Sequence, residues 1–175
     1  IKVMQSLYSF LQNRDGNLAE EVKFFKQSYL NTFSLYLTLL AFFKSIHEHA
    51  IDQTDLQKEL RSDATPANSG KLVQNKILKC IAEHPILTNY IKKRKIKFWE
   101  LDFDYVKTNF KILMESEKFD AYAKKGSPTL EDDRAILAYF FKEIVAPSDG
   151  FYDYIEDKEL TWRSESQLSL LSERQ

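Results

Sequence analysis

The 175-residue chain is long enough for one compact domain, or for two small helical subdomains sharing a core. A hydrophobic share of 43%, with 13 Phe and 9 Tyr, excludes a disordered chain; four Gly and four Pro are too few for the tight turns of an all-β domain. The formal net charge of -1 excludes a global electrostatic pull toward nucleic acid, so any such binding must come from a local patch.

The first segment carries apolar residues at Val3, Met4, Leu7, Tyr8 and Leu11, one face of an amphipathic helix. Gly16 suits the left-handed position that ends it. Asn17, followed three residues later by Glu20, is a capping-box pattern that opens a second helix. Its stripe runs Val22, Phe25, Tyr29, Phe33, Tyr36, Leu40, Phe43 and His47, and no Pro or Gly interrupts residues 17–65. One long helix, or two nearly collinear ones, is expected there.

The stretch Arg61 to Lys71 is small and polar with Pro66 and Gly70, and reads as a linker. Val73, Ile77, Cys80 and Ile81 predict a helix that ends before Pro85, and Ile86 to Lys93 form a short segment after it. Asp102 or Glu100 opens the next helix, whose face includes Tyr105, Val106, Phe110 and Leu113; Phe119 and Tyr122 belong to a short helix ending near Gly126. Ser127-Pro128-Thr129 is a start signal, with Asp132 completing a second capping box. That helix buries Ile136, Leu137, Phe140, Phe141 and Ile144 and stops at Pro147. Phe151, Tyr154 and Ile155 make one more short helix before a polar tail. The fold class is all-α, a multi-helix bundle.

Catalytic and metal-binding patterns find little support. His47 and His49 lie two apart, so on a helix their rings point about 200° away from each other and cannot share an ion. One Cys and three His make no four-ligand zinc site, and no metal or cofactor is expected. Glu131-Asp132-Asp133 and the Asp102/Asp104 pair are explained by the positive end of a helix dipole rather than by acid-base chemistry. No Gly-rich phosphate loop or nucleophile elbow occurs, so the reading is non-enzymatic. Cys80 cannot make an internal disulfide, which points to a reducing, cytoplasmic compartment, and no apolar run approaches the roughly 20 residues that span a bilayer.

One basic run stands out. Lys92-Lys93-Arg94-Lys95-Ile96-Lys97 is followed directly by Phe98-Trp99, which sets cations for phosphate beside rings for bases. The alternative reading is a solvated helix end, with its cations near the C-terminal dipole and Trp99 as a core anchor.

The opening residues, Lys2 to Phe10, carry Gln5, Leu7, Tyr8 and Phe10 in the order of a Q-x-L-Y signature followed by an aromatic residue. In this the chain resembles the first-helix motif of the NusB family of transcription antitermination factors. The order of later features resembles a lengthened bacterial form of that family: a long aromatic second helix, a polar linker, Phe98-Trp99, then Glu131-Asp132-Asp133 leading into Phe140-Phe141, and Trp162. The likeness covers most of residues 1–163, and the strict motif only residues 2–10. The chain opens at Ile1 inside a helical pattern and shows no counterpart of the family's second half, so it is expected to be truncated.

The resemblance implies a non-catalytic factor that binds a single-stranded boxA-like leader RNA together with a NusE-type ribosomal protein. Lys2, Gln5 and Tyr8 match the motif positions that would contact RNA, and Lys92, Lys93, Arg94, Lys95 and Lys97 form an added patch outside it. Tyr8 reads equally well as a core residue, because it lies on the apolar stripe. The layout this implies is NusB-like N-terminal helices over 1–60, a linker over 61–72, an additional helical region over 73–163 and a polar tail over 164–175. Two other readings stay open: a helical protein-interaction scaffold without RNA binding, and a NusB-like accessory domain of an RNA methyltransferase.

Overall fold

A computed structural model of the chain describes residues 2–12, 17–60, 69–94, 103–148 and 151. Among these residues every regular element is helical and there is no strand. In chain order they are α1 (Lys2–Gln12), α2 (Leu18–Leu60), α3 (Ser69–Gln74), α4 (Lys76–Glu83), α5 (Pro85–Arg94), α6 (Phe103–Met114), α7 (Glu117–Ala123) and α8 (Leu130–Tyr139), the last running straight into a π-helical turn, Phe140–Val145. No described helix is long and apolar enough to cross a membrane. The expectations at Gly16, Pro66, Phe98, Trp99, Glu100, Asp102, Tyr154, Ile155, Trp162 and the tail 164–175 lie outside the described residues.

The chain divides into two compact units, with boundaries between Tyr36 and Leu37 and between Phe151 and Tyr152. The described part of the first unit is α1 and the opening turns of α2. Asn17 starts α2 as expected: its side-chain oxygen accepts from the Ala19 N–H at 3.0 Å, and its carbonyl accepts from Glu20 and Glu21. Glu20 and Glu21 then sit in the first turn, where the helix dipole favours acids.

The second unit, Leu37–Phe151, holds the core. Here α2 is buried around most of its circumference, at Leu37, Thr38, Ala41, Phe42, Ile46, His47, His49 and Ala50. The single stripe read from the sequence is therefore corrected. Val22, Tyr29, Phe33 and Tyr36 on that stripe belong to the first unit and are exposed; in the second unit His47 on the stripe is buried, and so are positions off it, because neighbouring elements cover α2 there from several sides. Phe42 meets Tyr105 of α6 at 5.8 Å between ring centroids and stacks on Phe140 at 6.0 Å.

Two elements depart from expectation for visible reasons. Helix α3 begins at Ser69, inside the stretch read as linker; Ser69 is buried, and its hydroxyl lies 3.0 Å from that of Thr54 on α2. The helix expected through Val73 and Ile81 is broken at Asn75, whose extended backbone (φ -60°, ψ 116°) separates α3 from α4. The wider turn after Tyr139 has a packing cause. It lets consecutive residues both reach the core, with Phe140 on Phe42 and Phe141 against Phe43 and Phe151. The same turn buries Val145 and Ala146, while Phe141 and Ile144 are only half-buried.

Candidate nucleic-acid interface

Helix α1 places the motif residues on one short amphipathic element. Val3, Leu7 and Phe10 face Leu18, Val22 and Phe25 of α2 across a groove of about 180 Å³ that Glu21 also lines. Tyr8 lies outside that groove and is 65% exposed, in company with Met4 and Leu11 on the same helix. Its hydroxyl accepts a hydrogen bond from the Gln12 side-chain amide at 2.6 Å, one turn on, and this fixes the ring along the helix. The backbone of Lys2 and Gln5 belongs to α1, but their side chains lie outside the described residues.

The basic run is divided in the same way. Lys92 and Lys93 are exposed in the last turns of α5, where cations meet the negative end of the helix dipole. Arg94 ends that helix with its side chain outside the described residues, and Lys95 and Lys97 lie outside them altogether.

The two histidines of α2 are both buried and serve different packing contacts. His47 Nε2 lies 3.3 Å from the Val73 carbonyl, linking α2 to α3. His49 is wedged edge-on against Phe103 and Phe110 of α6, at 5.2 and 4.7 Å between centroids, and its Nδ1 has no hydrogen-bond partner. Burial and the Lys107 cation lower its pKa, while Asp52 pulls the other way. Among the described residues no three His, Cys, Asp or Glu side chains come together as a metal site.

The acidic cluster splits into separate roles. Glu131 is an exposed partner of Arg134. Asp132 completes the capping box with Thr129, as expected, and also pairs with Lys125; that pair first, then the Thr129 bonds, hold its carboxyl down to about 2. Asp133 is the residue the sequence did not single out. It is 2% exposed, and its carboxylate accepts from the Tyr122 hydroxyl at 2.6 Å and from the Lys76 N–H at 2.9 Å.

Asn75 completes that network. Its side-chain oxygen caps α4 by accepting from Ile77 and Leu78 at 3.1 and 3.0 Å, and its amide donates to the Tyr122 hydroxyl and the Asp133 carbonyl at 3.3 Å each. Burial, followed by the bond to Asp133, raises the Tyr122 pKa well above its ordinary range. The sequence held one clue to this arrangement: an Asn inside an apolar helical pattern favours a cap over a helix interior.

No family model, curated protein or solved structure matches the chain.

Proposed function

We propose that this chain is a NusB-like, non-catalytic antitermination factor that binds single-stranded leader RNA of the boxA type beside a NusE-type ribosomal protein. The observation that carries the reading is the place of Tyr8. A ring in the signature position of the first helix stands in solvent, bonded to Gln12, beside the exposed Met4 and Leu11 of the same helix. Exposed rings next to polar amides suit stacking on unpaired bases. The exposed Lys92 and Lys93 add cations for phosphate.

The test is RNA binding by this chain, measured by fluorescence anisotropy at rising salt with a boxA-like leader and a scrambled control. Affinity for the leader falls steeply with salt, and Lys2→Ala, Gln5→Ala and Tyr8→Ala each weaken it. Unchanged binding in all three variants removes the first helix from the site.

A second reading, a helical interaction scaffold, is favoured by the first unit's apolar surface. Met4, Leu11, Phe24, Tyr29 and Tyr36 are all more than half exposed there, which is the character of a surface that meets another protein. A NusE-type protein retained without any RNA, at low and high salt alike, selects this reading over the first.

A further inference from the structure

The two helices of the first unit build a face with a composition of its own. A short connection joins α1 to α2, and helices joined so closely pack antiparallel, here with Val3, Leu7 and Phe10 turned to Leu18, Val22 and Phe25. Successive helical residues turn by about 100°, and seen from one end the N-to-C paths of antiparallel helices turn in opposite senses. A residue that follows an inward one on α1 therefore comes to the same side of the pair as one that follows an inward residue on α2. On α1 these are Met4, Tyr8 and Leu11, each exposed over most of its surface. On α2 they are Lys23 and Lys26, both exposed, and the half-exposed Leu30 one turn on continues the row.

The charges of this face have one sign. Among the described residues of the first unit the only acids are Glu20 and Glu21. Glu21 precedes the inward Val22 and so turns to the other side of the pair, while Glu20 points away from α1. The side chains of Lys23 and Lys26 have no ion-pair or hydrogen-bond partner among the described residues. Met4 and Leu11, at i and i+7, span about 10 Å of helix, two turns of a partner helix laid alongside. An apolar ridge edged by unmatched cations is complementary to an amphipathic helix that carries acids on its flank. A second copy of the chain does not fit, because an isologous contact sets lysines against lysines.

We propose that this face docks an acidic amphipathic helix of a partner protein, its apolar side on Met4, Leu11 and Leu30 and its flanking acids on Lys23 and Lys26. The proposal rests on the protein partner that both readings above share, and adds to it a place and a charge. Tyr8 stands further from the α1/α2 groove than Met4 and Leu11, so a helix seated on those two leaves the outer side of the ring to RNA.

The probes are a labelled helical peptide with Leu at helical spacing and Glu on both flanks, and its twin with Lys in place of Glu. Each is measured by fluorescence anisotropy on the whole chain, and the Glu peptide is held in preference to the Lys peptide. Lys23→Glu combined with Lys26→Glu weakens the Glu peptide about tenfold and reverses the preference, an exchange that a purely structural role for these lysines does not produce. Met4→Ser combined with Leu11→Ser weakens the Glu peptide by a similar factor with its salt dependence unchanged. Circular dichroism and the melting midpoint stay at the parent's values in both variants. Lys111→Glu combined with Lys118→Glu, the same charge change at exposed positions of α6 and α7, is the control.

Equal binding of the two peptides by the parent, or an unchanged preference in the Lys23/Lys26 variant, overturns the proposal. A NusE-type protein still retained in that event leaves the partner reading standing; refusal of both the NusE-type protein and the Glu peptide overturns the two together. Leader RNA that displaces the Glu peptide, and is itself lost from the Met4/Leu11 variant, assigns the face to RNA. A dimer of the parent that the same variant dissociates assigns it to a second copy. Either result overturns the acidic helix.

Discussion

The Tyr122 hydroxyl donates to Asp133 across 2.6 Å, and so ties α7 to α8 through a buried carboxylate that also accepts from the first N–H of α4. One side chain thereby fixes three helix ends. Tyr122→Phe keeps the ring and removes the hydroxyl, leaving both the buried Asp133 carboxylate and the Asn75 amide short of a partner, at a cost of about 1–3 kcal/mol. A denaturation double-mutant cycle with Asp133→Asn reads the coupling, and additive effects refute a shared network. The pH sign follows from the raised Tyr122 pKa. The unfolded chain ionises near 10 and the folded one above that, so this stability is complete below pH 10 and is lost as pH rises beyond it. Tyr122→Phe removes that alkaline loss.

His49 makes the opposite kind of pH dependence. Its pKa is lowered from the ordinary 6.5, mainly by burial, so as pH falls the unfolded chain takes up the proton first. Stability is therefore complete above about pH 6.5, and declines as pH falls from there toward the lowered folded value. His49→Leu keeps an apolar wedge between Phe103 and Phe110 and has nothing to protonate. Its urea midpoint changes less than the parent's between pH 7.5 and 5.5. An identical pH response in the two proteins shows that His49 does not report this transition.

Thr129 and Asp132 were legible as a capping box because the signal is local: a Thr, a spacing of three and an acid. Thr129→Ala removes the acceptor for the Asp132 N–H and costs about 1 kcal/mol, read as a lowered melting temperature. The Asp132 carboxyl, held down to about 2, keeps its contribution above its ordinary pKa and loses it as pH falls through about 2. In Thr129→Ala, which loses the hydroxyl's bond to that carboxylate, the acid loss begins at higher pH.

Helix existence along the chain was readable from apolar spacing and scarce Gly and Pro, and so were the starts at Asn17 and Thr129. The buried faces were not. In α2 the regular stripe through Tyr29, Phe33 and Tyr36 faces solvent, while Thr38 and His49 go inside, because burial depends on which elements arrive from elsewhere in the chain. Asp133 hid for a similar reason. In sequence it is the third of three acids, and only the approach of Tyr122 and Lys76 from 11 and 57 residues away sets it apart.

Phe140 and Tyr8 bracket what the aromatic content does. Phe140 is fully buried and stacked on Phe42, so Phe140→Ala costs about 3–5 kcal/mol through lost burial and the cavity left behind. Tyr8 touches solvent over most of its surface, so Tyr8→Ala stays within about 0.5 kcal/mol of the parent in stability. The two variants thus separate folding from binding. Phe140→Ala lowers the unfolding midpoint, and any loss of leader RNA binding it shows follows the fraction unfolded. Under the proposed RNA-binding reading, Tyr8→Ala weakens leader binding at an unchanged midpoint. A Tyr8→Ala protein that melts several degrees early instead places this ring in a structural contact and removes it from the interface.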